Sequence, residues 1–550
     1  KQEDIKKIFL AIIALCGTLF VSSCVDLDRY PLEERSDASF WKSEEDATQA
    51  VSNLYNSLPT STAGLVDDAI NSDDAVHGIK WAAGNISKGI YDPNDQSWDW
   101  HYTFIRRANL VMERTEQLQE LTPASKAILQ GQARFFRAYH YWKVIRKFGD
   151  VPYYERTLSL DEQQSVVRAP RQEVYDHVMT DLDAAIKALP KEWTGADYGR
   201  ITKGMALSVK AQAALYYGKW QEAANAAKAV MDLGVYALEQ YDNPADYAKL
   251  FWEVSDGSKE FILFKELKAN DFDDYTSGWE TVPTVGWGGI NPTQSLVDAF
   301  EDIQGAPISK STIYDETNPF ANRDTRLEVC VLHDGETMYG RTIKVAPLKS
   351  CYPTGIAQHG DATATGYYQH KWLDPSIDPQ STGWNMGKDV VEIRYAETLL
   401  TYAEAMCELG QLNEALGAVN QVRARVKMPL LQMTDASLPT YCANQADLRE
   451  RIRNEWRVEF ALEGGKRMWD VRRWGIAETV LNEAYLGLKY KLVDSPEAKE
   501  GDNGKVCILY QGENYIASPK TVRYRPHNYV FPVPQSEIDI NKKLTQNPKY

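Results

Sequence analysis

The chain has 550 residues and is 43% hydrophobic, 25% charged and 11% aromatic, a globular composition too apolar for disorder and too long for one core. Lys and Arg number 61 against 77 Asp and Glu, a formal net charge of −16 with no basic run to offset it. That balance argues against a nucleic-acid partner, since phosphate neutralisation needs a concentrated basic face. Length alone allows about three to four domain-sized units.

The chain begins with an apolar run, Ile8 to Val21, preceded by Lys1, Lys6 and Lys7 and followed by Ser22, Ser23 and Cys24. A bilayer-spanning helix needs about 20 apolar residues, so this segment reads as a signal peptide. Its Val-Ser-Ser-Cys ending resembles the lipobox of bacterial lipoproteins. On that reading residues 1–23 are removed, Cys24 carries the lipid, and residues 24–40 form a tether that is acidic at Asp26, Asp28, Glu33 and Glu34. The alternatives are an ordinary signal peptide cut nearby and a buried N-terminal helix. No later stretch reaches about 18 apolar residues. Beyond Cys24 lie Cys330, Cys351, Cys407, Cys442 and Cys507. Their odd number and the lack of C-x-x-C spacing argue against a disulfide framework or a zinc site, with Cys330 and Cys351 as the one loop-region pair to consider as a bridge.

The rest of the chain reads as two helical parts, 41–251 (with a loop at 67–99) and 390–550, around a loop-rich insertion at 252–389. Phe135, Tyr139, Trp142, Ile145 and Phe148 recur at helical spacing until Gly149-Asp150 stops them. Pro170 opens a second helix that buries Val174, Val178, Leu182, Ile186 and Leu189 before Pro190. Arg134, Arg137, His140, Lys143 and Arg146 form a row that reads as a solvated or salt-bridged face. The segments 213–223 and 405–415 share small residues, a turn glycine (Gly218, Gly410) and a Glu-Ala opening the next helix, the pattern of a tetratricopeptide helix pair. Such a pair cannot bury its face alone, so the two parts are expected to stack together. The insertion is rich in Gly, Pro and Asp, with short strand-like pieces such as 259–265. The predicted fold class is mainly α: a tetratricopeptide-like scaffold of helical pairs with a loop-rich insertion carrying short strands.

No G-x-S-x-G, H-E-x-x-H, Walker or dinucleotide motif is present, and the His residues lack ligand spacing, so no cofactor or metal is called for. Asp92-x-Asn94-x-Gln96 lacks the Gly and closing Glu of a calcium loop. The chain has 15 Trp and 31 Tyr, and these favour binding over catalysis. A sugar ring stacks its C–H face on an aromatic and offers hydroxyls to Asp, Asn and Arg. Trp81, Trp279, Trp287, Trp372 and Trp384 lie in loops and fit that chemistry, with the acidic loop residues Asp73 and Asp74. Trp142, Trp220, Trp456, Trp469 and Trp474 read as core. Arg394-Tyr395 opens a helix, either as a ligand contact or as structure.

Six stretches in order then resemble the SusD/RagB-type lipoproteins, surface glycan-binding components of Bacteroidetes nutrient-uptake systems. They are Cys24 to Pro31 with Phe40-Trp41; Trp98-x-x-x-Tyr102-x-x-Ile105-x-x-x-Asn109; Ala133 to Ile145 with Phe148-Gly-Asp-Val-Pro152; Arg394 to Ala405; Glu455-x-x-x-Glu459 with Glu463 and Arg467 to Trp474; and Phe531 to Ile538 with Gln546-Asn-Pro548. Glu455, Glu459 and Glu463 fall at i, i+4 and i+8, placed to pair with Arg467, Arg472 or Arg473. The resemblance implies a non-catalytic protein, lipid-anchored and surface-exposed on the outer membrane, that captures oligosaccharide for a SusC-like TonB-dependent transporter. It places the ligand face at Asp73 to Trp81 and at Trp287 to Gly289, before Pro292-Thr-Gln-Ser-Leu-Val-Asp-Ala-Phe300. The candidate contacts are therefore Asp73, Asp74, Trp81, Trp279, Trp287, Trp372, Arg394 and Tyr395. A surface glycoside hydrolase and an assembly or adhesion scaffold are the competing readings.

Overall fold

The computed structural model describes residues 40–61, 68–78, 86–90, 92–95, 100–268, 286–356, 358, 360–378, 387–516 and 522–550. The signal segment, Cys24, most of the tether, and Trp81, Trp279 and Trp384 lie outside the described residues.

The first helical part contains α1 (Glu44–Leu54), the short strand β1 (Ala75–His77), α2 (Tyr102–Gln117), α3 (Pro123–Phe148), α4 (Arg171–Ala188), α5 (Lys203–Tyr216) and α6 (Trp220–Leu233). Thr122 caps α3 with Pro123 in its first turn, and Gly149, at φ +75°, ends it. The predicted apolar face of α3 is buried throughout, and α3 packs against α2 and α4. The cationic row on α3 is paired and mostly internal, with Arg134 keeping 36% of its side chain exposed. Arg134 and Arg137 reach Asp181 of α4 at 2.9 and 2.6 Å, Lys143 pairs with Glu392 at 3.0 Å, and the Arg146 guanidinium lies 4.1 Å from the Trp469 ring centre. His140 is fully buried, and burial holds it well below the ordinary histidine range.

The insertion supplies β2 (Phe261–Lys265), β3 (Ile290–Pro292) and α7 (Gln294–Ala299); β4 (Val390–Arg394) follows it. Antiparallel pairing of β2 with β4 joins the two ends of the insertion, which is why so loop-rich a stretch has a fixed base. The second helical part holds α8 (Tyr395–Glu408), α9 (Leu412–Arg425), α10 (Gln445–Glu459) and α11 (Lys466–Arg473), then an antiparallel sheet of β5 (Leu486–Asp494), β6 (Lys505–Leu509) and β7 (Glu513–Ile516) in the order β6-β5-β7.

The repeat-like pairs form as expected. Gly218 and Gly410 take φ of +67° and +76° at the turns of α5–α6 and α8–α9, a conformation that glycine alone adopts without strain. Buried alanines such as Ala213, Ala223, Ala405 and Ala415 let the helices approach closely, and α6 packs directly on α8, so the two pairs stack across the insertion. The fold is mainly α. No helix among the described residues is long and apolar enough to cross a membrane. Cys330, Cys351, Cys407, Cys442 and Cys507 are all free thiols, so the Cys330–Cys351 bridge considered from sequence is not formed.

Glu455 and Glu459 of α10, and Glu463 just beyond its end, are buried, but their partners differ from those expected. Glu455 receives Arg326 and Arg423 at 2.6 and 2.8 Å, while Glu459 receives Arg326 at 2.9 Å, Arg394 at 2.5 Å and also Arg425. Glu463 holds Arg394 and Lys371. Burial alone would raise the Glu459 carboxyl; the guanidinium groups of Arg425, Arg394 and Arg326 outweigh it and hold it well below the carboxylate range. The network joins the insertion, through Arg326 and Lys371, to the start of α8, the end of α9 and the end of α10 in the second helical part. Arg467, expected here, is drawn elsewhere.

Candidate functional site

The two loops assigned to the ligand face meet as one platform. β1 and β3 pair antiparallel, Ala75 opposite Pro292 and His77 opposite Ile290, and the Gly78 N–H donates to the Gly289 carbonyl at 2.9 Å. Thr293 locks the corner: its N–H donates to the Asp74 carbonyl at 2.9 Å, and its hydroxyl donates to the Asp73 carbonyl at 2.6 Å while accepting the Leu296 N–H that starts α7. Asn291 ties the turn together, donating to the Gly288 carbonyl at 3.2 Å and accepting from the Ala364 N–H at 2.8 Å. At Gly78 any side chain would place its Cβ 2.0 Å from the Gly288 carbonyl oxygen, so only glycine permits this approach.

Two arginines fasten the platform to the helices beneath. Arg467 grips Asp73 bidentately, both bonds at 2.8 Å; Arg457 reaches Asp74 at 2.8 Å, Asp73 at 3.1 Å and the Ser295 hydroxyl at 3.0 Å. Burial would raise both carboxyls. For Asp73 the charges of Arg457 and Arg467 outweigh burial and hold it below its ordinary value, while Asp74, beside the charge of Asp73, stays raised. Arg457 and Arg467 were not among the site residues read from sequence, although the motif Arg467 to Trp474 contained one of them. Their relevance lies in long-range pairing that spacing does not reveal.

On this platform Trp287 is 39% exposed. The other described candidates are placed differently. Asp73 and Asp74 are 6% and 1% exposed, so their carboxylates hold the platform in place of reaching a ligand. Trp372 is 5% exposed and donates its indole N–H to the Leu462 carbonyl at 3.0 Å, as a core residue. Arg394, 2% exposed, spends its guanidinium on Glu260, Glu459 and Glu463, and Tyr395 is buried beside it with its N–H on the Glu260 carbonyl at 2.7 Å. Arg394 belongs to the interior network at the start of α8, Tyr395 is tied beside it through its backbone, and Trp372 packs on Phe251 in the core. Among the described residues no cluster of His, Cys, Asp and Glu is arranged to hold a metal ion.

A family model described as the SusD family matches residues 259–550, more than half of the chain, and one described as starch-binding associating with outer membrane matches 32–215. The chain belongs to the SusD family. It is 25% identical to SusD-like protein P38 of Formosa agariphila over 88% of this chain and 93% of that one. It is 22% identical to starch-binding protein SusD of Bacteroides thetaiotaomicron over the full length of both. Among solved structures, a SusD-like carbohydrate-binding protein of Bacteroides fragilis superposes with a TM-score of 0.77 at 25% identity, covering 92% of this chain and all of that one. Membership of the SusD family fits the mainly α fold of the chain.

Proposed function

We propose that this SusD-family chain binds neutral glycan at the cell surface without cleaving it and passes it to a SusC-like TonB-dependent outer-membrane transporter, held there by a lipid on Cys24. The family, the starch-binding name of its Bacteroides relative and the carbohydrate-binding title of its structural neighbour support glycan as the ligand class. The single observation that carries the site is Trp287, an indole held partly exposed on a platform that two arginines and an inter-loop strand pair make rigid. A stacked aromatic contributes about 1 kcal/mol, so Trp287→Ala should weaken oligosaccharide binding roughly fivefold in calorimetry. An unchanged affinity removes Trp287 from the site. Product release seen by chromatography after long incubation replaces the binding role with a hydrolase, and failure of the lipidated chain to co-purify with an outer-membrane transporter removes the delivery step.

A further inference from the structure

A second concavity lies beside α7. It is an open cleft of about 680 Å³ between α7, the 307–319 loop, Tyr367 and the β5–β7 sheet, within the roughly 300–1,000 Å³ range of ligand pockets. One wall is a fixed relay. Tyr367, 1% exposed, donates its hydroxyl to the Gln294 amide oxygen at 2.7 Å, which orients that amide to donate to Asp298 Oδ1 at 2.8 Å. Among the described residues no other side chain donates to Asp298 and no cation lies within ion-pair range of it. The second Asp298 oxygen therefore faces the cleft as a positioned acceptor.

The opposite wall is aromatic. Tyr510 is held edge-on to Phe320 at 6.1 Å, and Phe320 meets Tyr367 at 6.2 Å, so one buried ring sets both tyrosines. The Arg323 guanidinium lies 5.4 Å from the centre of the Tyr314 ring and backs it. Among the described residues neither the Tyr314 nor the Tyr510 hydroxyl has a hydrogen-bond partner. Glu316 and Lys489 form an ion pair that joins the 307–319 loop to β5. The pair is 58% and 39% exposed, so it is weak enough for a ligand to part.

The lining charges select the ligand. Asp298, Glu316 and Glu483 face a single cation, Lys489. An anionic sugar bearing uronate or sulfate meets like charge there, whereas a neutral sugar donates hydroxyls to the carboxylates and lays its C–H face on tyrosine. The lining holds few aliphatic side chains, Ile308 and Leu486 being the largest, so it does not suit an apolar ligand. We infer that this cleft is a second binding site, specific for neutral oligosaccharide; the inference rests on the glycan-binding reading above and adds a site to it.

The test is calorimetry on the full chain with maltohexaose, laminarihexaose and an oligogalacturonate of equal length, for wild type, Asp298→Asn, Tyr314→Ala and Trp287→Ala. Asp298→Asn is isosteric and on the surface, so it guards against misfolding as the cause of a loss. The expected result is that a neutral hexamer binds wild type at two sites, that each cleft variant weakens one of them at least fivefold and leaves the other, and that the uronate hexamer binds the cleft at least tenfold more weakly. Unchanged affinity in both cleft variants, with loss in Trp287→Ala alone, overturns the cleft and leaves the glycan-binding reading intact. Uronate binding equal to the neutral probes overturns the charge argument, and no binding of either neutral hexamer overturns the reading beneath both.

Discussion

The Glu459 network and the Trp287 platform are both built from arginines and carboxylates, yet they are completed differently. In the network every charge is closed off within the protein: Glu459 is fully buried and meets three arginines drawn from separate segments. In the platform the charges lie underneath, Arg457 and Arg467 on Asp73 and Asp74, and what reaches solvent is an indole. The first arrangement fixes one part of the chain against another and the second fixes a surface. Charged motif residues in this fold therefore report on architecture, and the groups offered to a ligand are neighbours that the charges hold in place.

The largest loss is expected at Glu459. Glu459→Ala would leave Arg326, Arg394 and Arg425 buried with a shared partner missing, and removing one member of a buried pair costs about 3–5 kcal/mol. The expected outcome is a lowered urea midpoint with an unchanged slope. A loss below about 1 kcal/mol would mean that the network does not join the blocks. Gly78→Ala tests the platform. A Cβ 2.0 Å from the Gly288 carbonyl must push β1 from β3, an overpacking cost of about 1–3 kcal/mol. Because Gly78 has no side chain to meet a sugar, a fall in glycan affinity in this variant would show that platform geometry, and not contact area alone, carries binding.

Much of the scaffold was legible in the sequence because helices announce themselves locally. The α3 face, the Pro170 start and the Gly218 and Gly410 turns all follow from spacing within a dozen residues, and each formed as read. The pairing of charges was not legible. Glu455, Glu459 and Glu463 have helical spacing toward Arg467 and Arg473, but the arginines that reach them lie at 326, 394, 423 and 425, brought in by the β2–β4 pairing and the stacking of α6 on α8. The same limit applied to the site. The loops of Asp73 and Trp287 were placed on one face and are joined through β1 and β3, whereas Trp372 and Arg394 had the right chemistry in loop or helix-start positions and are buried. Residue type and loop position do not encode exposure, which long-range packing decides.

A third junction holds carboxylates with no arginine among their described partners. Asp389 lies just before β4, 5% exposed, and accepts the Leu267 N–H at 3.2 Å, while its own N–H donates to Asp256 Oδ1 at 3.2 Å. Burial first, and then the Asp256 charge, pushes the Asp389 carboxyl up to about 7; burial pushes Asp256 up to about 6. A carboxyl whose value is raised in the folded state binds its proton more tightly there than in the unfolded chain. Its stabilising contribution is therefore complete below the ordinary carboxylate range and is lost as pH rises through about 7. The base of the insertion should accordingly be firmer at pH 5 than at pH 8, the reverse of the Glu459 site, whose depressed carboxyl loses its contribution only in strong acid. Asp389→Asn removes the titration while keeping the side-chain oxygen that accepts from Leu267. Thermal unfolding should then show a gain at pH 8, little change at pH 5 and a narrower gap between the two, the smallest effect of the three. An equal shift at both pH values would mean that Asp389 acts through packing and not through its charge.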